Sequence, residues 1–199
     1  QRHLTDLRLS LLGQHQHRNT AVALAALLTM HRLAEPDSRL AKAEFDDETI
    51  RRGLLDVRCP GRVELVATYP NVIIDGAHNA AGADVCAEVF FSDFDPVGSR
   101  RLVVGMLQSR DAYELLSALR VDEFDQVVCC TAPSPRGMPA RELRDIAKEM
   151  GCDDVVAIDD VGEACNRALL NASADDAELI TGSLYVVGAA RSHVLRVLP

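Results

Sequence analysis

An α/β fold, with a mostly parallel sheet of about six strands and helices on both faces, is predicted by three observations. From Val72 onward, short β-branched runs alternate with helical runs across connections of a few residues. The runs, such as Val72-Ile73-Ile74 and Leu102-Val103-Val104, are apolar throughout, as strands buried on both faces are. The first run then changes abruptly to Asp75-Gly76-Ala77-His78-Asn79 before a helix begins at about Ala80. That is how the carboxyl end of a buried parallel strand looks, and open α/β sheets place their ligands there. Asp75, His78 and Asn79 are therefore expected to face a site.

The elements follow in order. Leu4 to Leu12 alternates weakly and reads as one strand; Gly13 to Asn19 is a polar turn, and Thr20 to Leu33 an Ala/Leu-rich helix. A shift to Pro36, Asp37 and Ser38 and then to charged residues marks an interdomain connection, followed by a short helix closed at Gly53. The expected organisation is residues 1–34 as the tail of one domain, 35–56 as a linker, and 57–199 as a second domain. Val63 to Ala67 is a strand that Tyr69-Pro70-Asn71 turns back onto Val72 as a hairpin. Helices are expected from Ala80 to Phe91, Ala112 to about Arg120, Pro139 to Met150 and Val161 to Asn171, with a terminal helix after Gly188. Strands are expected over Leu102–Met106, Asp125–Thr131, Val155–Ile158 and Glu178–Thr181. Pro139 suits the first turn of its helix and Gly151 the end.

Composition narrows the partners. Acidic residues exceed basic ones by nine, so the summed field repels phosphate backbones and anionic lipid, and neither nucleic acid nor membrane is an expected partner. No run approaches the roughly 18 apolar residues of a membrane span, and no signal peptide opens the chain; the cytoplasm is the expected compartment. The six cysteines show neither C-x-x-C nor zinc spacing, and most lie in apolar runs as small core hydrophobes. His15 and His17 form H-x-H with no third ligand nearby, so no metal site is expected in this chain.

Five stretches carry a family resemblance. They are His15-Gln16 with Asn19 and Ala23, Pro60-Gly61-Arg62 with Glu64, Asp75-Gly76-Ala77-His78-Asn79 with Gly82, Arg110-Asp111, and Gly182-Ser183-Leu184-Tyr185 with Gly188. Together they resemble HQ-x-x-N-x-x-x-A, PGR-x-E, DGAHNP, Lys-Asp and GSLY-x-x-G of the folylpolyglutamate synthases and dihydrofolate synthases, relatives of the Mur ligases. Ala80 replaces the usual Pro, and Arg110 the usual Lys. The resemblance implies a Rossmann-like carboxyl-terminal domain preceded by a strand-helix remnant of an amino-terminal ATPase domain.

The activity it implies is ATP-dependent joining of L-glutamate to pteroate or folate through an acyl phosphate. Asn19, Arg62 and Asp75 would serve ATP: an amide for the purine edge, a guanidinium fork for phosphate, a carboxylate for ribose hydroxyls or for steering Arg62. His78 would be the catalytic residue beside the transferring phosphoryl or the glutamate, and Ser183, Asn79 and Arg110 would lie on the glutamate and phosphate side. Each has a plainer reading. Asn19 can cap its helix, Arg62 can pair with Glu64, His78 can make a loop hydrogen bond, Ser183 can be an N-cap only, and Ser109 or Asp111 can cap the helix after Arg110. Arg136, in the Pro-rich loop after the Asp125–Thr131 strand, is a further candidate ligand contact. No G-x-x-x-x-G-K-[ST] loop occurs in the chain, so the phosphate loop, the Mg2+ ligands and most of the pterin site are expected in an amino-terminal domain, and the chain alone is expected not to turn over. A nicotinamide-binding domain lacks its G-x-G-x-x-G turn here. A Mur peptide ligase more often shows His-Asn at His15-Gln16, and a noncatalytic docking module remains the alternative from another class.

Overall fold

The computed structural model describes residues 3–94 and 96–197, and the chain divides into two compact units, Gln1–Cys59 and Pro60–Pro199. In the first, helix α1 spans His15–Leu33 and helix α2 Asp47–Asp56. α1 starts earlier than the composition indicates because the Gln16 and His17 N–H groups already donate to the carbonyls of Gly13 and Gln14, at 3.0 and 3.1 Å. α2 is capped by the Asp46 carboxylate, which accepts from the Thr49 N–H at 2.7 Å. It runs through Gly53 rather than closing there, since that position is ordinary helix with open space around it. The expected strand over Leu4–Leu12 does not form; those residues are irregular. A strand needs a partner, and this segment finds side-chain anchorage instead, the Ser10 hydroxyl reaching the carbonyls of Val57 and Leu54 at 2.6 and 3.2 Å.

The second unit is the α/β domain. Its elements are β1 (Glu64–Ala67), β2 (Asn71–Ile74), α3 (Ala80–Asp93), β3 (Arg100–Val104), α4 (Ala112–Ala118), β4 (Gln126–Cys129), α5 (Ala140–Glu149), β5 (Val155–Ala157), α6 (Val161–Leu169), β6 (Ala177–Thr181) and α7 (Leu184–Val197), with a 3-10 turn at Val121–Glu123. The six strands lie in the order β1-β2-β6-β3-β4-β5. β1 is antiparallel to β2, as the hairpin requires, and every other pair is parallel.

That order positions the site. The chain winds from β2 through β3 and β4 to β5 in one direction, then returns to insert β6 between β2 and β3. Right-handed crossovers running in opposite directions leave their helices on opposite faces, so α3, α4 and α5 pack in succession while α6 packs on α7. Val72, Ile74, Val103, Val128 and Ile180 bury against α6 and α7; the alternate residues Ile73, Leu102 and Leu179 are equally buried on the other face. Where the winding reverses, the loops after β2 and β6 part toward opposite faces and open a crevice at the carboxyl edge. Among the described residues no helix is long and apolar enough to cross a membrane. All six cysteines are free and only Cys59 is exposed, as small core hydrophobes would be.

One core residue is at odds with its surroundings. Glu178 in β6 is 1% exposed, and neither carboxyl oxygen has a hydrogen-bond partner. Its register partner in β3 is Arg101, but that guanidinium donates to Asp176 at 3.0 Å and to the Ala168 carbonyl at 2.7 Å. Burial pushes the Glu178 carboxyl up to about 8, against the pull of Arg101. It is therefore the neutral acid at pH 7 in the folded chain and ionised in the unfolded one. Stability contributed by the raised group is complete below the unfolded value near 4.5 and is lost as pH rises toward about 8. Thermal or urea unfolding is expected to show stability falling between pH 4.5 and 8 by up to about 1.4 kcal/mol per pH unit from this group, and Glu178→Gln is expected to flatten that slope. An unchanged slope in the variant would contradict the assignment.

Candidate active site at the carboxyl edge of the sheet

Asp75 follows β2 directly and is buried. One carboxyl oxygen accepts from the Val63 N–H and the other from the Ala77 N–H, both at 2.8 Å. The first bond fastens the Pro60-Gly61-Arg62 loop to the end of β2, and a Gly76 N–H donation to the Gly61 carbonyl at 2.8 Å reinforces it. Val63 is held at φ +44°, a strained conformation for a β-branched residue that persists only where surrounding bonds impose it. Burial raises the Asp75 carboxyl above its usual range, although the two N–H groups and the nearby Arg62 charge pull it down. The buried Cys86 thiol beside it is raised well above normal by burial and by Asp75, which keeps it protonated and unsuited to nucleophilic chemistry.

Arg62 itself is exposed. Glu64, its sequence neighbour, is engaged elsewhere: Arg191 of α7 forks onto it at 2.8 to 3.0 Å, and the Gly61 N–H donates to it at 2.9 Å. Burial pushes that carboxyl up, but the Arg191 fork and the Gly61 N–H hold it below its ordinary value. The Arg62–Glu64 pair considered from the sequence is therefore not formed, and the Arg62 guanidinium has no hydrogen-bond or ion-pair partner among the described residues.

Three loops then meet. A cavity of about 100 Å³ is lined by His78 from the β2 loop, Leu107 and Arg110 from the β3 loop, and Gly182, Ser183, Leu184 and Tyr185 from the β6 loop. The approach of the last two loops depends on Gly182, at φ +100°, where a Cβ would lie 2.7 Å from the Gly105 carbonyl oxygen. His78 is half-buried and its Nδ1 lies 2.9 Å from the Gly76 carbonyl. A carbonyl only accepts, so Nδ1 carries the hydrogen and Nε2 of the neutral ring keeps its lone pair. Ser183 is buried, and its hydroxyl accepts from the Tyr185 N–H at 3.2 Å at the start of α7. Arg110 is exposed and has no side-chain partner among the described residues; the helix after it is capped by Asp111, not Ser109.

Asn79 and Asn19 are not among the residues that line this cavity. Asn79 is the N-cap of α3, its side chain accepting from the Gly82 N–H at 2.8 Å. Asn19 belongs to the first unit and lies within α1 rather than at its cap, its amide donating to Gln16 Oε1 at 3.2 Å. It lines a mainly apolar cavity of about 460 Å³ with Leu24, Leu27, Phe45 and Ile50. No three His, Cys, Asp or Glu side chains gather to hold a metal among the described residues. The Arg191–Glu64 fork was invisible in the sequence, its partners lying 127 positions apart.

Residues 61–184 match the family model described as Mur ligase, glutamate ligase domain. The chain belongs to that family. Within the Mur ligase glutamate-ligase family it is similar to the probable bifunctional folylpolyglutamate synthase/dihydropteroate synthase of Haloferax volcanii, at 35% identity over 94% of this chain and 20% of that protein. It is likewise similar to the dihydrofolate synthase/folylpolyglutamate synthase of Mycobacterium tuberculosis, at 32% identity over 94% of this chain and 40% of that protein. Among solved structures, the M. tuberculosis folylpolyglutamate synthase complexed with ADP and AMPPCP superposes with a TM-score of 0.80 at 32% identity, covering 95% of this chain and 42% of that one. E. coli FolC in complex with DHPP and ADP gives 0.75 at 31% identity, covering 98% of this chain and 41% of that one. A Yersinia pestis bifunctional relative was solved with AMPPNP and a Mn ion. The chain thus spans less than half the length of these relatives.

The role given to Asp75 is directly measurable. Asp75→Ala leaves two backbone N–H groups without their acceptor and is expected to lower unfolding stability by about 2–4 kcal/mol. The urea midpoint should fall with the m-value unchanged; a loss under about 0.5 kcal/mol would show that water replaces the carboxylate and that the loop is held by other means.

Proposed function

We propose that this chain is the glutamate-receiving part of an ATP-dependent ligase that joins L-glutamate to pteroate or a folate through an acyl phosphate. The observation that carries the proposal is the meeting of His78, Arg110 and Ser183 on one cavity at the reversal point of the sheet. Such a reaction needs no protein nucleophile. The acceptor carboxylate attacks the terminal phosphorus of ATP and ADP leaves; the glutamate amine then attacks the acyl carbon and phosphate leaves, forming the amide. What the protein must supply is positioning, charge for the oxygens in transit, and a place for the amine's proton.

The residues fit those tasks. The Nε2 lone pair that the Nδ1–Gly76 bond leaves on His78 suits it to take a proton from the amine as it attacks. Ser183, at the start of the 14-residue α7, and the exposed Arg110 suit a carboxylate. Arg62, on a loop that Asp75 holds rigid, suits the phosphates of ATP, and the Asn19 amide beside its apolar cavity suits an adenine edge. A Mg2+ ion, when bound, would shield phosphate charge; its ligands, like the pterin site, are assigned to an amino-terminal domain, the partner of this chain.

The test is turnover. These 199 residues alone are expected to release no ADP with ATP, L-glutamate and pteroate or tetrahydrofolate, and the same chain joined to an ATP-binding amino-terminal domain is expected to do so. In that longer enzyme His78→Ala should lower kcat by about 10²–10⁴, and Ser183→Ala should raise the KM for L-glutamate about tenfold while leaving the KM for ATP in place. ATP turnover independent of glutamate, or unaffected by either substitution, would contradict the proposal.

A further inference from the structure

Helix α7 grips the loop that presents Arg62. Leu184, Val187 and Arg191 are spaced three and four residues apart and so fall on one face of the helix. Val187 packs so closely on Gly61, at φ +71°, that a Cβ there would lie 2.7 Å from its Cγ1; Leu184 packs as closely on Gly76, where a Cβ would lie 2.6 Å from its Cδ2. One turn beyond Val187, the Arg191 guanidinium forks onto both oxygens of Glu64, its Nε at 3.0 and 2.9 Å and its Nη2 at 2.8 Å. Glu64 Oε2 also accepts from the Gly61 N–H at 2.9 Å. Arg62 therefore stands between two residues whose N–H groups are each held by a carboxylate, Gly61 by Glu64 and Val63 by Asp75.

Two carboxylates close to an arginine are a problem for binding phosphate, because an anion that arrives at a paired guanidinium has to displace its partner first. Both oxygens of Asp75 are taken by backbone N–H groups. Glu64 is different: it stands two positions from Arg62, and with no other cation at hand its charge would fall to that arginine. Arg191 supplies the competing cation, and its planar fork matches the two oxygens of a carboxylate. We infer that Arg191 is a positioning residue: by holding Glu64 on the Gly61 N–H it keeps that carboxylate off Arg62, whose guanidinium stays available to the phosphates of ATP. This role rests on the ligase reading given above, in which Arg62 meets phosphate. Because Ser183 stands at the start of the same helix, α7 serves both the carboxylate side and the phosphate side of the site.

The experiment uses the full-length enzyme that carries this chain, with steady-state kinetics in ATP, L-glutamate and the pteroate or folate acceptor. Arg191→Met, which keeps an apolar stem and removes the charge, is expected to raise the KM for ATP about three- to tenfold, the strength of a partly exposed ion pair. The KM for L-glutamate and for the acceptor should stay unchanged. Adding Glu64→Gln should return the KM for ATP to within about twofold of the unsubstituted value, since the amide oxygen still accepts the Gly61 N–H but leaves no charge to bind Arg62. Arg191→Lys, which keeps the charge without the fork, should fall between, and its reversal by Glu64→Gln provides the same test if Arg191→Met does not fold. A fork that merely braces the fold would leave the Arg191→Met/Glu64→Gln enzyme as impaired as Arg191→Met or more so. That result would overturn the inference, and so would an unchanged KM for ATP in Arg191→Met or an equal rise in all three KM values. Absence of glutamate-dependent ADP release by the unsubstituted enzyme would instead remove the ligase reading, and this inference with it.

Discussion

The Asp75 carboxylate, buried at the end of β2, accepts backbone N–H groups from Val63 behind it and Ala77 ahead of it. Those two bonds tie together the loop that presents Arg62 and the turn that presents His78. The strain at Val63 is a consequence of the first bond, and the N–H groups are what make a buried carboxylate tolerable. Remove the carboxylate and both loops lose their common anchor, while the β-branched core behind them stays intact.

Sheet order does the rest. Because β6 returns to lie between β2 and β3, segments distant in sequence end side by side: the residues after Ile74, after Val104 and after Thr181. A sheet whose strands followed chain order would have kept the β6 loop at an edge, away from His78. The close approach of the β3 and β6 loops also demands Gly182, with its positive φ and its contact with the Gly105 carbonyl. The gathering of these residues at one edge is thus a product of winding direction as much as of residue type.

Much of the second unit was legible in the sequence because its strands are continuous apolar runs and its helices begin at Asn79, Asp111 and Asp160, whose side chains all cap. The segment from Leu4 to Leu12 was not, since a weak alternation becomes a strand only when another strand offers hydrogen bonds. Gly53 misled for a related reason: glycine ends a helix when it turns left-handed, and Gly53 keeps a helical backbone instead, so α2 runs on to Asp56. The motifs named His78, Arg110 and Ser183 one at a time, but their sharing of a cavity is a property of strand order that local pattern does not encode. Glu178 shows the opposite failure. It read as one residue of a strand, and nothing nearby in sequence tells that Asp176 and the Ala168 carbonyl occupy its opposite charge.

The central claim is that ligand recognition occurs where the β2, β3 and β6 loops converge. Amide chemical-shift mapping of the isotopically labelled protein, titrated with L-glutamate, tests it most directly. The account predicts the largest shifts at Gly76–Asn79, Gln108–Asp111 and Gly182–Tyr185. Shifts confined to the larger cavity bounded by Ser134, Asp160 and His193, with those three loops unmoved, would contradict it.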